Sequence, residues 1–187
     1  MAKILVAICV GVIFALSCDA CPDIKTRHNW GGRPSKSIDY QPVPVPNVII
    51  HHTASSPCNS FLTCSVKVAN IQDYHMNDLK WSDIGYNFLI GNDGNVYEGV
   101  GWNKVGAHAR GYNDKSIGVA FIGNFDGVLP PTAALDAAKS LLRCGVEDGL
   151  LAKNYRLFGA RQVKKTISPG LMLYNEIQNW DNWVAAP

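Results

Sequence analysis

His51 and His52 close a short apolar run, Val48-Ile49-Ile50, and Thr53 follows them. A catalytic zinc takes three protein ligands and leaves a fourth position for water, so a histidine pair at a strand end is one place to look for such a centre. Adjacent residues on a strand point to opposite faces, and His51 and His52 cannot both serve one site unless the strand ends there. The residues alone leave open which of the two faces a groove. Ser168 offers a hydroxyl that could act as a nucleophile only with a base in hydrogen-bond reach, and no acidic residue to orient that base is evident in the sequence. His75 shares a helical face with Val68 and Ile71, Tyr86 begins a strand in Asp83-Ile84-Gly85-Tyr86, and His108 and Asn113 stand in a Gly-containing loop.

Composition narrows what those side chains can serve. The chain has 187 residues, 47% hydrophobic and 17% charged, enough to bury one core and too apolar for a disordered chain. A formal charge of +2 provides no basic field for nucleic acid, and no Lys/Arg run accompanies an aromatic pattern. Residues 1–20 carry Lys3, an apolar stretch from Ile4 to Leu16 and small residues up to Ala20. This is the pattern of a secretory signal peptide cut after Ala20, too short to span a bilayer comfortably, and it leaves residues 21–187 as a single domain with no membrane span.

After that cut, four of the six cysteines remain: Cys21, Cys58, Cys64 and Cys144. An even number in a secreted chain implies two disulfides, with three pairings formally open. Cys58 and Cys64 flank a short polar loop, which favours pairing Cys58 with Cys64 and leaves Cys21 to join Cys144. A loop on the order of 100 residues closed in this way contributes about 4 to 5 kcal/mol in the chain-entropy account. No C-x2-C pair exists to make a zinc site of these cysteines instead.

The elements that must position the polar residues follow from pattern. The Gly- and Pro-rich stretch from Asn29 to Pro46 predicts an irregular lead-in. Val48 to His52 predicts a buried strand, and Val68, Ile71 and His75 predict an amphipathic helix between Thr63 and Leu79. Tyr86 to Gly91 and Asn92 to Glu98 read as two strands joined by a tight Asn-Asp-Gly turn. Ser116 to Gly123 predicts a central strand covered on both faces. A helix from Pro131-Thr132 to Gly149 carries Leu135, Ala138, Leu142 and Val146, a strand spans Tyr155 to Gly159, and a last helix after Pro169 turns Leu173, Ile177 and Trp180 inward. The fold class is α/β, a mixed central β-sheet flanked by helices.

Across the whole mature chain these segments resemble those of peptidoglycan recognition proteins, which are similar to phage-type N-acetylmuramoyl-L-alanine amidases. The signals are Trp30-Gly31-Gly32, His51-His52-Thr53, the Cys58/Cys64 pair, Asp83-Ile84-Gly85-Tyr86-Asn87-Phe88-Leu89-Ile90-Gly91, Gly106-Ala107-His108 and Ile117-Gly118-Val119-Ala120-Phe121-Ile122-Gly123-Asn124-Phe125. The resemblance is closest to the short secreted insect type that senses bacterial wall and triggers the Toll pathway. In catalytic relatives zinc is held by a His at the position of His51, a His at that of Ala160 and a Cys at that of Ser168, with a Tyr at that of Tyr86 assisting. Ala160 has no lone pair to offer, and the hydroxyl of Ser168 is far too weak an acid to replace a thiolate. The resemblance therefore implies no metal cofactor and no amidase activity, with a weak zinc-independent peptidase using Ser168 as the alternative.

The same resemblance implies a muropeptide groove formed by His51, His52, Thr53, His75, Lys80, Trp81, Tyr86, His108, Ala109 and Asn113, an apolar platform with a few aimed polar groups. Relatives that prefer diaminopimelate-type stems tend to carry Gly-Trp where this chain has Lys80-Trp81, and lysine-type readers carry a polar residue and Phe. Lys80 tips the expectation towards lysine-type peptidoglycan. A secreted receptor of this kind in hemolymph would signal through a glucan-binding-type co-receptor and a serine-protease cascade.

Overall fold

The computed structural model describes residues 21–187, so the signal-peptide expectation for residues 1–20 lies outside the described residues. Six strands form one sheet in the order β1-β4-β3-β5-β2-β6. They are β1 (Ile24–Lys25), β2 (Val45–His52), β3 (Phe88–Ile90), β4 (Val96–Glu98), β5 (Ile117–Phe121) and β6 (Leu151–Gly159). Every neighbouring pair is parallel except the β3/β4 hairpin, which turns through Gly94 in a left-handed conformation. The central strands β5 and β2 consist almost wholly of buried residues, as continuous apolar runs in a sheet covered on both faces must be.

The two faces of the sheet bury different sets of side chains. Val48 and Ile50 of β2, with Ile117, Val119 and Phe121 of β5, pack under helix α3 (Thr132–Glu147) and helix α5 (Leu171–Ile177). Leu141 and Leu142 enter that core from α3, and Leu173 and Ile177 from α5, each fully buried Leu or Ile contributing about 1.5 to 3 kcal/mol. The opposite face carries Leu89, Tyr97 and Ala120, covered by Trp30 and by Val68 of helix α2 (Phe61–Asp73).

Helix α2 begins at Ser60, whose hydroxyl accepts from the Thr63 amide, and runs into a π-helical turn, Tyr74–Asp78. The Cys58–Cys64 disulfide pins its first turn, and Cys21–Cys144 ties the N-terminal edge to α3 across 123 residues. The predicted lead-in contains more structure than its composition suggests. The end of a short helix α1 (Arg27–Trp30) occupies its beginning, and β2 already starts at Val45. Helix α4 (Ala160–Val163), not foreseen from sequence, follows β6 without a break. Among the described residues, no helix is long and apolar enough to cross a membrane.

Candidate functional site

The polar residues converge where β2 ends. Ile50 stands opposite Gly159 in the parallel β2/β6 register, which places Ala160 beside His51 at the next step. The segment after α4 folds back, with the Arg161 amide donating to the Ser168 carbonyl at 2.9 Å. That return brings Ser168 Oγ to 3.0 Å from the His52 amide, whose N–H it accepts. Positions 51, 160 and 168 therefore meet, although His51 and Ala160 lie 109 positions apart in sequence.

Strand alternation decides between the two histidines. His51 shares the face of Ile49, while His52 turns to the face of α5, where its Nδ1 accepts from the Phe125 amide at 3.2 Å. His51 Nε2 lies 3.2 Å from His108 Nδ1, and the two rings meet edge to face at 5.2 Å. His108 packs against the bare backbone of Gly118, where a Cβ would stand 2.4 Å from its Cγ. Its Nε2 is buried without a hydrogen-bond partner.

Both rings are held neutral. Burial lowers His108 to about 3, with the nearby Lys164 ammonium adding to the shift and the Ser116 carbonyl opposing it. His51 also falls well below the usual histidine range, through burial first and then the proximity of His108, Lys164 and His52. An imidazole pair that refuses a proton can accept or relay a hydrogen bond but supplies no charge.

An aromatic wall continues from this pair. Tyr86 stands 5.4 Å from His51 between ring centroids, His75 is 5.7 Å from Tyr86, and Trp81 is 4.7 Å from His75. His75 Nδ1 accepts the Gly85 amide, and burial lowers its pKa to about 4 against a smaller opposing effect of Asp83. Burial pushes Tyr86 up to about 12, so its hydroxyl stays protonated. Lys80 and Trp81 then line a cavity of about 290 Å³ with Val100, Gly106, Ala107 and, from the lead-in, Ser35 and Ser37. Lys80 adopts a left-handed backbone with φ 61°, a conformation that costs a non-glycine residue about 1 to 2 kcal/mol. Replacing Lys80 with Gly relieves that strain against a chain-entropy cost of about 0.5 to 1 kcal/mol. The variant is expected to be about 0.5 kcal/mol more stable in urea unfolding, and a destabilised variant would mean the Lys80 side chain is held by contacts of its own.

Of the expected groove set, the structure brings His51, His75, Trp81, Tyr86 and His108 into one cluster, with Lys80 at its far end. The ring of His52 is turned away from them by strand alternation, which does not fit the expected place on the groove wall. Ala109 is buried against Ile49, Phe158 and Ala160, and Asn113 Oδ1 accepts its amide at 2.7 Å. These two residues brace the His108 loop. Thr53 Oγ1 accepts the Gly123 amide at 3.0 Å and shares a hydrogen bond with Ser55.

Two residues had no role assigned from the sequence. Val100 follows β4 and lines the cavity. Asp83 is buried and takes hydrogen bonds from both Arg27 nitrogens, Gln72, Ser35 and the Ile84 amide. Burial alone would raise its pKa, and these donors outweigh burial and lower it. A carboxylate paired in this way joins α1, the lead-in and α2 at the wall of the cavity. In the sequence it only opens the Asp83-Ile84-Gly85-Tyr86 motif, and partners as distant as Arg27 are what give it this role.

A zinc ion does not fit the donors that meet here. Ala160 has no donor, the Ser168 hydroxyl already accepts an amide, and His51 Nε2 is engaged with His108. Among the described residues, the one group of side chains close enough to hold a metal is Cys21, Cys144 and Glu147, and its two cysteines are joined as a disulfide.

Residues 41–171 match the family described as N-acetylmuramoyl-L-alanine amidase. The chain is 53% identical over 167 residues to peptidoglycan-recognition protein SA of Drosophila melanogaster, covering 89% of this chain and 82% of that protein. The solved structure of Drosophila peptidoglycan recognition protein SA superposes with a TM-score of 0.88, covering 89% of this chain and 96% of that one. Peptidoglycan recognition protein LE, solved in complex with tracheal cytotoxin, a monomeric diaminopimelic acid-type peptidoglycan, is 41% identical with a TM-score of 0.84, covering 85% of this chain and 94% of that one.

Proposed function

The chain belongs to the peptidoglycan recognition protein family, and from that premise we propose that it is a secreted receptor that binds bacterial peptidoglycan in the groove without cutting it. The observation that carries the reading is the convergence of His51, Ala160 and Ser168 at the end of β2. The β2/β6 register beside His51 and the Ser168 hydroxyl on the His52 amide support the family's three ligand positions lying together here, with Ala160 and Ser168 as poor replacements for an imidazole and a thiolate. The aromatic wall from His51 to Trp81 supplies a platform for sugar and methyl groups, and Lys80 narrows the end at which a diaminopimelate stem would add bulk, which supports lysine-type peptidoglycan.

A receptor that leaves its ligand intact acts through partners, and family membership supports a Toll-type output through a co-receptor and a serine-protease cascade in hemolymph. The alternative, a peptidase using Ser168, lacks a base: among the described residues no imidazole hydrogen-bonds the Ser168 hydroxyl.

The test is incubation with lysine-type and diaminopimelate-type wall fragments, followed by binding titration, mass analysis of the muropeptides and metal analysis of chelator-free protein. Tighter binding to the lysine type, unchanged fragment masses and substoichiometric zinc are expected. One zinc per chain, or release of peptide stems, would overturn the non-amidase reading.

A further inference from the structure

Lys164 has no part in the groove described so far, yet it stands beside the histidine pair. Its amide donates to the Ala160 carbonyl at 3.0 Å, so it follows Ala160 by one turn of α4. The Lys164 ammonium donates to the His108 carbonyl at 3.0 Å, which anchors it at the rim of the cluster. An ammonium has three N–H groups, and this bond uses one. No carboxylate is paired with it among the described ion pairs. The rings beside it are held neutral, and the Lys164 charge acts on both of them.

We propose that Lys164 is a ligand-binding residue whose ammonium takes a carboxylate of the muropeptide stem at the exposed rim of the His51–His108 pair. The proposal rests on the receptor reading above and adds to it a chemical preference: free carboxylates over their amides. A carboxylate accepts a charge-assisted hydrogen bond from the two uncommitted N–H groups, whereas a carboxamide keeps only a neutral acceptor and turns an NH2 donor towards a cation. The site is open to solvent at Lys164, which holds the expected preference to about tenfold.

The test is calorimetric titration of the whole secreted chain with two muramyl tripeptides that differ only by a carboxylate or a carboxamide on the second stem residue. The native chain is expected to bind the carboxylate form about tenfold more tightly. Lys164→Met should bring the two ligands within about twofold of each other, and Lys164→Arg should retain most of the preference. Thermal melts matching the native chain show that both variants fold. Equal affinity of the native chain for the two ligands, or an unchanged preference in Lys164→Met, would overturn the assignment of Lys164 while leaving the receptor reading in place. Failure of the native chain to bind either tripeptide or intact peptidoglycan would overturn the receptor reading and this inference with it.

Discussion

A chain carrying both Ala160→His and Ser168→Cys is expected to bind one zinc ion, with an affinity on the order of 10³-fold or more above that of the native chain. The backbone supports this: residue 160 follows directly on β6, one step past the Ile50–Gly159 pair, and the residue 168 side chain already reaches the His52 amide. The missing component is donor chemistry. An imidazole and a thiolate would complete a His-His-Cys set, while either substitution alone leaves two ligands and should gain little. Two features of this chain oppose the ion. His51 Nε2 is engaged with His108, and the Lys164 ammonium stands at the rim. Adding Lys164→Met to the pair should raise the affinity further, because it removes a cation from the vicinity of a dication. Competition against a chromophoric chelator measures the constant, and circular dichroism confirms the fold. A folded double variant with no stoichiometric zinc would show that the three positions do not face one another as described.

The contrast between intact backbone and altered donors explains what was legible in the sequence. The apolar run Val48-Ile49-Ile50 of β2 and the apolar β5 mark buried strands, so their place in the middle of the sheet follows from composition. The Asn-Asp-Gly turn marks the β3/β4 hairpin, and the spacing of Leu173, Ile177 and Trp180 fixes the inner face at the chain's end. What escaped depends on distant partners. β1 is two residues long and exists through its pairing with β4, and β6 extends back to Leu151 across Lys153 and Asn154, whose exposed side chains hide it in an apolar scan.

The site was legible to the same extent. Alternation along β2 showed that His51 and His52 diverge but could not give the direction, because that depends on which face α5 covers. Resemblance placed Ala109 and Asn113 in the groove set, where the fold uses them to brace the His108 loop. Lys164 reads locally as one of two adjacent surface lysines. Its position at the rim comes from the return of the 160–168 segment onto β2, a long-range arrangement that no window of sequence contains.

Folding stability is expected to decline as the pH falls from about 6.5 towards 4, and the groove histidines set that window. His75 titrates at about 4 and His108 at about 3 in the folded chain, and His51 and His52 are also lowered, burial being the main cause in each. An unfolded chain protonates each of them near 6.5, so between these values the unfolded state binds more protons than the folded one. Stability then rises with pH: this contribution is fully present above about pH 7 and is lost progressively on acidification, until each folded group takes up its own proton. At about pH 5 a histidine that stays neutral in the fold costs about 2 kcal/mol relative to neutral pH, so His75 and His108 together cost about 4 kcal/mol. Asp83 does not confuse the window. Its lowered pKa makes its contribution vanish only below the ordinary carboxylate range, at more acid pH. Urea unfolding at about pH 7 and pH 5 measures the difference, and His75→Gln, which keeps an acceptor for the Gly85 amide without a titrating ring, should reduce it by about 2 kcal/mol. Equal stability at the two pH values would mean that these rings are protonated in the folded chain, and the neutral histidine cluster at the centre of the groove would have to be abandoned.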